Sequence, residues 1–529
     1  MATIRWIQPV FDDTIFSSWI VDSYWENLMQ SANTPNCRNI RLKNWSTTIR
    51  KWYTSKIASN VGTKIMGIVT NSLNDKLYVV MNKNLYSVNT TTRAYSTAIW
   101  AVSTTDTPIN FVTYDKYTII LNGEDYPYLY DGSSLSQLGS WNITNWANAG
   151  FWTSFADFTM VAWTGAYANQ LFISKPIVST AITDCYDWVD ATADIRTMKS
   201  NILGMVSTLD RLIVFCENSI EWLDRSTVAT VWGKSVFYTK PIGEWDKLAS
   251  HRSIVAAGDK IFFLTKDNKI KTIDYIQGTS DLRIGNLSDQ EKQSISLFME
   301  NLDSDQSESF WYFNKTENLI KRHVKSQGAL FIDTVINYDL LNKTFLPDDN
   351  KYFSCAEEYD KKYYCGGDVN SNLYQDEVWY DDDWEGISWY RRSKDDPLGN
   401  PQIRKSVRGV WVNWQINSLW SFNMDVYVDW EKTTSTKTIN WVGIIPWSLS
   451  SAVIWGTEIG EEAISGDPIQ GSALIMNNFN WKLSKSKLRQ KGLRVQTKYY
   501  GNTKNTILSL ESQSMDIRSI GDMTTAKKL

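Results

Sequence analysis

Along this chain, hydrophobic positions fall in short runs separated by polar clusters, and helical periodicity is nearly absent. Short runs rich in Val, Ile, Tyr, Phe and Thr end at clusters of Asn, Asp, Gly and Ser, which predicts strands joined by hairpins. One unit recurs: an apolar strand, a polar turn, then a second apolar strand that often ends in Asp or Asn. It occurs as KLYVVMNKNLYSVN from Lys76, KYTIILNGEDYPYLYDG from Lys116, RLIVFCENSIEWLD from Arg211 and KIFFLTKDNKIKTID from Lys260. SFWYFNKTENLI from Ser309 and KKYYCGGDVNSNLYQ from Lys361 continue the series, and DFTMVAWTGAYANQLFIS from Asp157 fits it more loosely. The units sit roughly 40–55 residues apart, the spacing of four-stranded propeller blades.

The pattern predicts an all-β chain in three parts. Residues 1–59 form an extended N-terminal arm, residues 60–375 a six- or seven-bladed β-propeller, and residues 376–529 a C-terminal antiparallel β-sandwich. The boundary falls in the polar, turn-rich stretch DEVWYDDDWEGISWYRRSKDDPLGNPQIRK. Beyond it the texture changes, and SVRGVWVNWQI, SFNMDVYVDWE and TILSLESQSMDIRSI alternate apolar and polar residues with period two. No WD dipeptide or kelch signature marks the repeats, so an array of sandwiched sheets is the competing architecture.

Composition narrows the class. With 529 residues, 43% of the chain hydrophobic and 21% charged, a large core can be buried and disorder is not expected. A net charge of −4 and a pI near 5.5 give no global attraction for nucleic acid. The opening MATIRWIQPVFDD lacks the basic and apolar regions of a signal peptide, and no apolar run approaches the ~18 residues that span a bilayer. The expectation is a soluble product of a cytoplasm, with no membrane insertion. Of the cysteines Cys37, Cys185, Cys216, Cys355 and Cys365, none forms a CxxC pair. Cys216 reads as a core residue, and a Cys355–Cys365 bridge across a hairpin is disfavoured in a reducing compartment.

Tryptophan is the anomaly. The chain carries 26 Trp against 27 Gly, although β-rich proteins need glycine at their turns. Trp45, Trp146, Trp188, Trp384, Trp414, Trp430, Trp441 and Trp481 each follow Asn or Asp. Asn-Gly and Asp-Gly are the preferred type I′ hairpin pairs because both central residues take positive φ, and a bulky residue there costs roughly 1–2 kcal/mol. Restoring glycine in KNWST, TNWAN, GEWDK, YVDWEK and IPWSL gives ordinary turns. The suspected Gly-to-Trp turn positions are therefore Trp45, Trp146, Trp245, Trp384, Trp414, Trp430, Trp441 and Trp447, as if UGA codons read as glycine in the native host had been translated with the standard code. Trp222, Trp311 and Trp379 sit among strand-like neighbours and read as genuine.

Chemistry-bearing motifs are sparse. Only His251 and His323 could serve a His-based triad or zinc centre, and both read as structural or solvated, His323 on the polar hairpin segment LIKRHVK. No P-loop, HExxH or supported GxSxG is present, so no catalytic, cofactor-binding or metal residue is assigned and no cofactor is expected. The acidic run Asp381, Asp382, Asp383 and Glu385 offers clustered carboxylates for Ca²⁺ as an alternative, but it lacks EF-hand spacing and reads as a solvated loop. Near the C-terminus, Lys482, Lys485, Lys487, Arg489, Lys491, Arg494 and Lys498 form a basic stretch with no acid from 481 to 498. Edge-strand protection explains such lysines, and contact with an acidic partner or DNA backbone is the sharper alternative.

Read with glycine restored, the chain resembles the β-propeller tail proteins of short-tailed bacteriophages, the nozzle and packaged-DNA-stabilising components. The resemblance rests on an ordered series: the arm segment NIRLKNWSTTIRKWYTSKI, the hairpin KLYVVMNKNLYSV, and RLIVFCENSIEWLDRS. WGKSVFYTKPIGEWDKLASHRSIVAAGDKIFFLTKDNKIKTID from Trp232 to Asp274 and the sandwich entry GNPQIRKSVRGVWV complete it. It implies a non-enzymatic virion component made in the host cytoplasm, forming a homo-oligomeric ring with other tail subunits at the DNA exit channel and touching packaged DNA non-specifically. A carbohydrate- or receptor-binding propeller, such as a tail hub or fibre-attachment protein, is the alternative function, and a propeller hydrolase is a further one.

Overall fold

The computed structural model describes residues 11–13, 36–43, 46–51, 53–58, 62, 64–71, 75–114, 117–138, 149–155, 158–163, 167–174, 194–208, 211–224, 229–231, 234–244, 247–275, 282–287, 295–349, 351–378, 386–393, 404–416, 421–428, 431–432, 437–440, 479–482, 491–492, 495–503 and 508–520. These residues are all-β, organised as antiparallel sheets, with one short α-helix at Ser296–Glu300 and one 3-10 turn at His251–Ser253.

Seven sheets follow one another along the chain, each an antiparallel meander. The first opens with Ile65–Asn71 and Lys76–Met81, the second with Asn110–Tyr114, the third with Ala149–Phe155, and the fourth with Ile202–Ser207 and Arg211–Cys216. The fifth runs from Val255–Ala257, the sixth from Phe310–Asn314 through Leu319–Val324 to Thr344–Asp349, and the seventh from Phe353–Tyr359 to Leu373–Asp376. The fourth strand of the seventh sheet is Thr54–Ile57, which comes from the N-terminal arm and pairs with Leu373–Asp376. A sequence-distant strand thus completes the last sheet.

Period two explains how the sheets pack. Successive side chains of a strand point to opposite faces. In Tyr117–Leu121, Ile119 and Leu121 join a cluster with Trp152 and Phe172 of the third sheet, while Ile120 joins Tyr78 and Val80 of the first. In the fourth sheet, Ile213 and Phe215 meet Ile261 and Phe263, while Val214 and Cys216 meet Met160 and Ala162. Val79 of the first sheet packs with Cys355 and Tyr364 of the seventh, so the last sheet returns to the first. Both faces are covered, which is why these strands read as continuous apolar runs. Each buried Leu, Ile, Val or Phe contributes about 1.5–3 kcal/mol. Space between first strands is tight: a Cβ built on Gly67 would lie 2.6 Å from the Phe111 ring, so glycine is required there.

Tight hairpins set the register. Asn82 and Lys83 have φ of 47° and 66°, and Asp360 and Lys361 have 49° and 58°, so two-residue loops of the positive-φ kind carry Lys at the second position. Cys355 and Cys365 are free thiols on paired strands of the seventh sheet. Cys355 faces the first sheet and Cys365 the sixth, so strand alternation keeps them apart.

Apart from the small hairpin Ala229–Val231/Lys234–Val236, the remaining strands form two larger sheets built from both parts of the chain. In one, Asn36–Arg38 pairs with Ile387–Arg392, which continues to Val495–Thr503 and Ser421–Val428. In the other, the hairpin Ile40–Lys43/Ser46–Ile49 and Phe11–Asp13 pair with or flank Leu508–Ile520, which lies on Arg404–Ile416. Asn39 makes the switch between the two sheets with a φ of 56°. Its side chain donates to the Ser388 carbonyl at 2.7 Å and accepts from Arg50 Nε and the Asp349 amide, each at 3.0 Å.

Candidate functional site: a buried charge network where the chain ends meet the sixth and seventh sheets

The strand Leu319–Val324 has the sequence LIKRHV, and every residue is buried. Three consecutive cationic or titratable side chains therefore enter the interior, on alternating faces. An isolated charge there would cost several kcal/mol, so each needs local compensation.

Lys321 finds it in Asp376 and Glu377, at the end of the seventh sheet, with Nζ donating to both carboxylates. Lys351 donates to the other oxygen of Asp376 at 2.8 Å and lies 3.5 Å from Glu377. Arg41, carried in by the arm hairpin, grips Asp348 with two parallel bonds of 2.8 and 2.7 Å and reaches Glu377 at 3.2 Å. Tyr312 adds a hydroxyl to Asp376 at 2.8 Å. Three cations thus meet three carboxylates, and the bidentate Arg–carboxylate geometry is the strong form of such a pair. Arg50, also buried, extends the polar region through Asn39 and the carbonyls of Lys51 and Asp349.

The electrostatics agree with full ionisation. Burial alone would raise the Asp376 carboxyl, but Lys321 and Lys351 outweigh it and hold it well below the usual carboxylate range. Glu377 and Asp348 are lowered in the same way, Asp348 chiefly by Arg41 against the cost of burial. Glu377 also has a φ of 57°, a strained conformation for a non-glycine residue, and three cations hold its carboxylate in place.

The other two residues are compensated by aromatic faces. None of the three Arg322 guanidinium nitrogens has a hydrogen-bond partner, yet the group lies 4.7 Å from the Trp311 ring, 5.3 Å from Phe345 and 5.5 Å from Tyr338. Burial pushes its pKa down to about 9. His323 stacks 4.4 Å from Phe310 with neither ring nitrogen partnered, and burial, reinforced by Lys351, drives its pKa well below the ordinary histidine value. It is a neutral, structural core residue, and the segment that carries it is interior rather than solvated.

The network is a junction that ties arm, sixth sheet, seventh sheet and the entry to the C-terminal strands. No single sequence motif announces it. The available signal was LIKRHV itself, three polar residues inside an otherwise apolar strand pattern.

Most residues singled out from the sequence lie elsewhere. Lys482 and Lys491 are strand residues of one mixed sheet, opposite Trp411 and Ser406. Lys498 belongs to the other sheet, opposite Arg392 and Asp425, with its ammonium 5.0 Å from Tyr390 and 5.4 Å from Tyr500. The structure thus divides these lysines between two sheets. Lys485, Lys487, Arg489 and Arg494 lie outside the described residues, as do Asp381, Asp382, Asp383 and Glu385. So do Trp45, Trp146, Trp245, Trp384, Trp430, Trp441 and Trp447. Trp414 is a residue of the strand Arg404–Ile416, at a register shift between Asn413 and Trp414. Such bulges are another place where chains use glycine. The described tryptophans Trp100, Trp152, Trp163, Trp222, Trp311, Trp389, Trp411, Trp414 and Trp481 are all in strands.

No helix among the described residues is long and apolar enough to cross a membrane. No family model matches the chain, and no curated protein matches it. Among solved structures, the computationally designed Ika8 protein aligns with a TM-score of 0.36 and 9% identity, over 65% of this chain and 96% of that one. That likeness carries no argument about function.

Proposed function

We propose that this chain is a non-enzymatic structural subunit of a short-tailed phage virion, a seven-bladed β-propeller mounted on a sandwich woven from both ends of the chain. The propeller reading is supported by the seven successive meanders, by the clusters that link each sheet to the next and the seventh to the first, and by closure of the seventh with Thr54–Ile57. Propellers leave only short protected sheet edges and make rigid wedges. The tail role comes from the sequence resemblance.

One observation carries the mechanical part. The network of Arg41, Lys321 and Lys351 with Asp348, Asp376 and Glu377 locks the arm to the sixth and seventh sheets. Such a unit transmits load as one piece. In a homo-oligomeric ring around the DNA exit channel, with heterologous contacts that close, that rigidity holds the channel's diameter. The basic residues from Lys482 to Lys498 offer a non-specific contact for packaged DNA.

Antibody labelling of native virions tests the role: label at the tail is expected, and label confined to the head overturns it. The mass of the native peptide spanning Trp430 tests the recoding, with glycine expected at that position and a tryptophan mass overturning it.

A further inference from the structure

Two adjoining, partly open cavities lie where the first strands of the second, third and fourth sheets meet the loop segments around His251 and Asp305. The larger, about 540 Å³, is lined in part by Asn110, Phe151, Leu248, His251, Arg252 and Lys266. The smaller, about 420 Å³, shares Asn110, His251 and Arg252 with it and adds Phe310 and Glu357. Volumes of this size suit small organic ligands.

Arg252 is the unusual group. A guanidinium has five N–H donors in a planar fork. Here one nitrogen donates to the Ser354 carbonyl, and the group stands 5.4 Å from the Phe310 ring. Among the described residues no carboxylate pairs with it. The acids that act on it from a distance are committed elsewhere: Glu308 to Lys64 at 3.0 Å, and Asp368 to the Ile332 amide at 3.0 Å. Arg41, more deeply buried, is by contrast held bidentately by Asp348. The fold neutralises one interior arginine and leaves the other facing a cavity.

His251 supplies a second donor at the same wall. Its Nδ1 accepts from the Met205 amide at 3.4 Å, so the neutral ring carries its proton on Nε2. Burial, with Arg252 adding to it, lowers its pKa to about 4 and keeps the ring neutral at pH 7. The other charged groups on the larger cavity are Lys266 and Asp305, which offset each other and leave Arg252 as the cation at its wall. Asp305 also accepts from the Ser307 amide at 3.1 Å. Glu357, on the smaller cavity, has its carboxyl raised to about 7 by burial. Phe151 and Leu248 give the larger cavity an apolar side.

We propose that the larger cavity binds a small organic oxyanion, a carboxylate or a phosphate ester. The oxyanion pairs with Arg252 and accepts from His251 Nε2–H, and its carbon skeleton lies against Phe151 and Leu248. This site is independent of the tail role, since it needs only the residues that line the cavity.

Isothermal titration of the full chain with inorganic phosphate, citrate and benzoate tests it, with benzyl alcohol as the neutral control. At least one anion is expected to bind below about 1 mM, and R252Q to weaken it about tenfold or more. R252K is expected to weaken it less, and K247Q, at an exposed pair with Glu217, to leave it unchanged. Phosphate binding without citrate or benzoate binding assigns the site to phosphate esters, and the reverse assigns it to carboxylates. Failure of every anion to bind up to about 10 mM overturns the proposal, as does equal binding by R252Q or by benzyl alcohol. Should R252Q not fold, H251N serves in its place with the same expected loss, and unchanged affinity in that variant overturns the proposal.

Discussion

Two strands occupy equivalent places in their sheets and reach the same burial by opposite chemistry. Arg211–Cys216, RLIVFC, is the second strand of the fourth sheet, and Leu319–Val324, LIKRHV, the second strand of the sixth. In the fourth sheet the inner residues are apolar on both faces, and the one cation, Arg211, sits at the strand's end over Trp222 at 4.0 Å. In the sixth sheet the middle of the strand carries Lys, Arg and His. The difference lies in the neighbours. The sixth and seventh sheets receive the arm and the exit to the C-terminal strands, which bring Arg41, Asp376 and Glu377 to the interface. Apolar packing there would tolerate sliding, whereas matched charges with fixed hydrogen bonds specify one docking position.

The comparison is broken most strongly by removing one charge. D376A leaves Lys321 and Lys351 without their main partner and should cost about 3–5 kcal/mol, read as lost hydrogen-exchange protection across Leu319–Val324 and Leu373–Asp376. Protection in Arg211–Cys216 should hold. Equal loss in both sheets would show that the network stabilises all the sheets together rather than one junction.

Acid should separate the two sheets next. His323 is neutral in the fold, so its contribution is complete above the unfolded value near 6.5 and falls as pH drops below it. The lowered carboxyls of Asp348, Asp376 and Glu377 contribute fully above about pH 4, and that contribution is lost on further acidification. Exchange in the sixth sheet, corrected for intrinsic rates, should therefore rise in two stages while the inner residues of Arg211–Cys216 lag. A single transition common to both strands would remove the distinction.

R322M sharpens a different point. Arg322 has aromatic faces but no hydrogen bond, so an apolar chain of similar length should leave urea stability unchanged or raise it by about 1–2 kcal/mol. A clear loss would show that the cation–aromatic contacts outweigh the cost of burying the charge. In the apolar counterpart, I213V should cost about 0.5–1.5 kcal/mol through a lost methyl. The smallest effect is expected at a turn: K361G, which relieves a positive φ, should raise stability by about 0.5–1 kcal/mol.

Local features were legible in the sequence. KLYVVMNKNLYSVN reads as two strands and a turn, and the structure places them at Lys76–Met81 and Asn84–Asn89 around Asn82 and Lys83. The apolar runs RLIVFC and KIFFL read as buried strands for the same reason, since period and burial are written within a few residues. The junction was not legible. LIKRHV has the composition of a solvated hairpin, and the partners of its Lys321, Asp376 and Glu377, lie 55 and 56 residues further along the chain, while other pairs of the network span from 25 residues, Lys351 to Asp376, to 307, Arg41 to Asp348. Nothing local to Arg41 or to Asp376 says that they share a site.

By itself, then, the sequence determined an all-β chain of repeated hairpins, because strand period, turn chemistry and apolar runs are short-range properties. Only the tertiary structure decided which strands complete which sheet, that the arm supplies Thr54–Ile57 to the seventh and Ile40–Ile49 to a mixed sheet, and that three consecutive polar residues belong in the core. The physical reason is that compensating a buried charge is a long-range matter. It depends on where distant carboxylates and rings arrive, and the two faces of a covered strand look alike until its neighbours are in place.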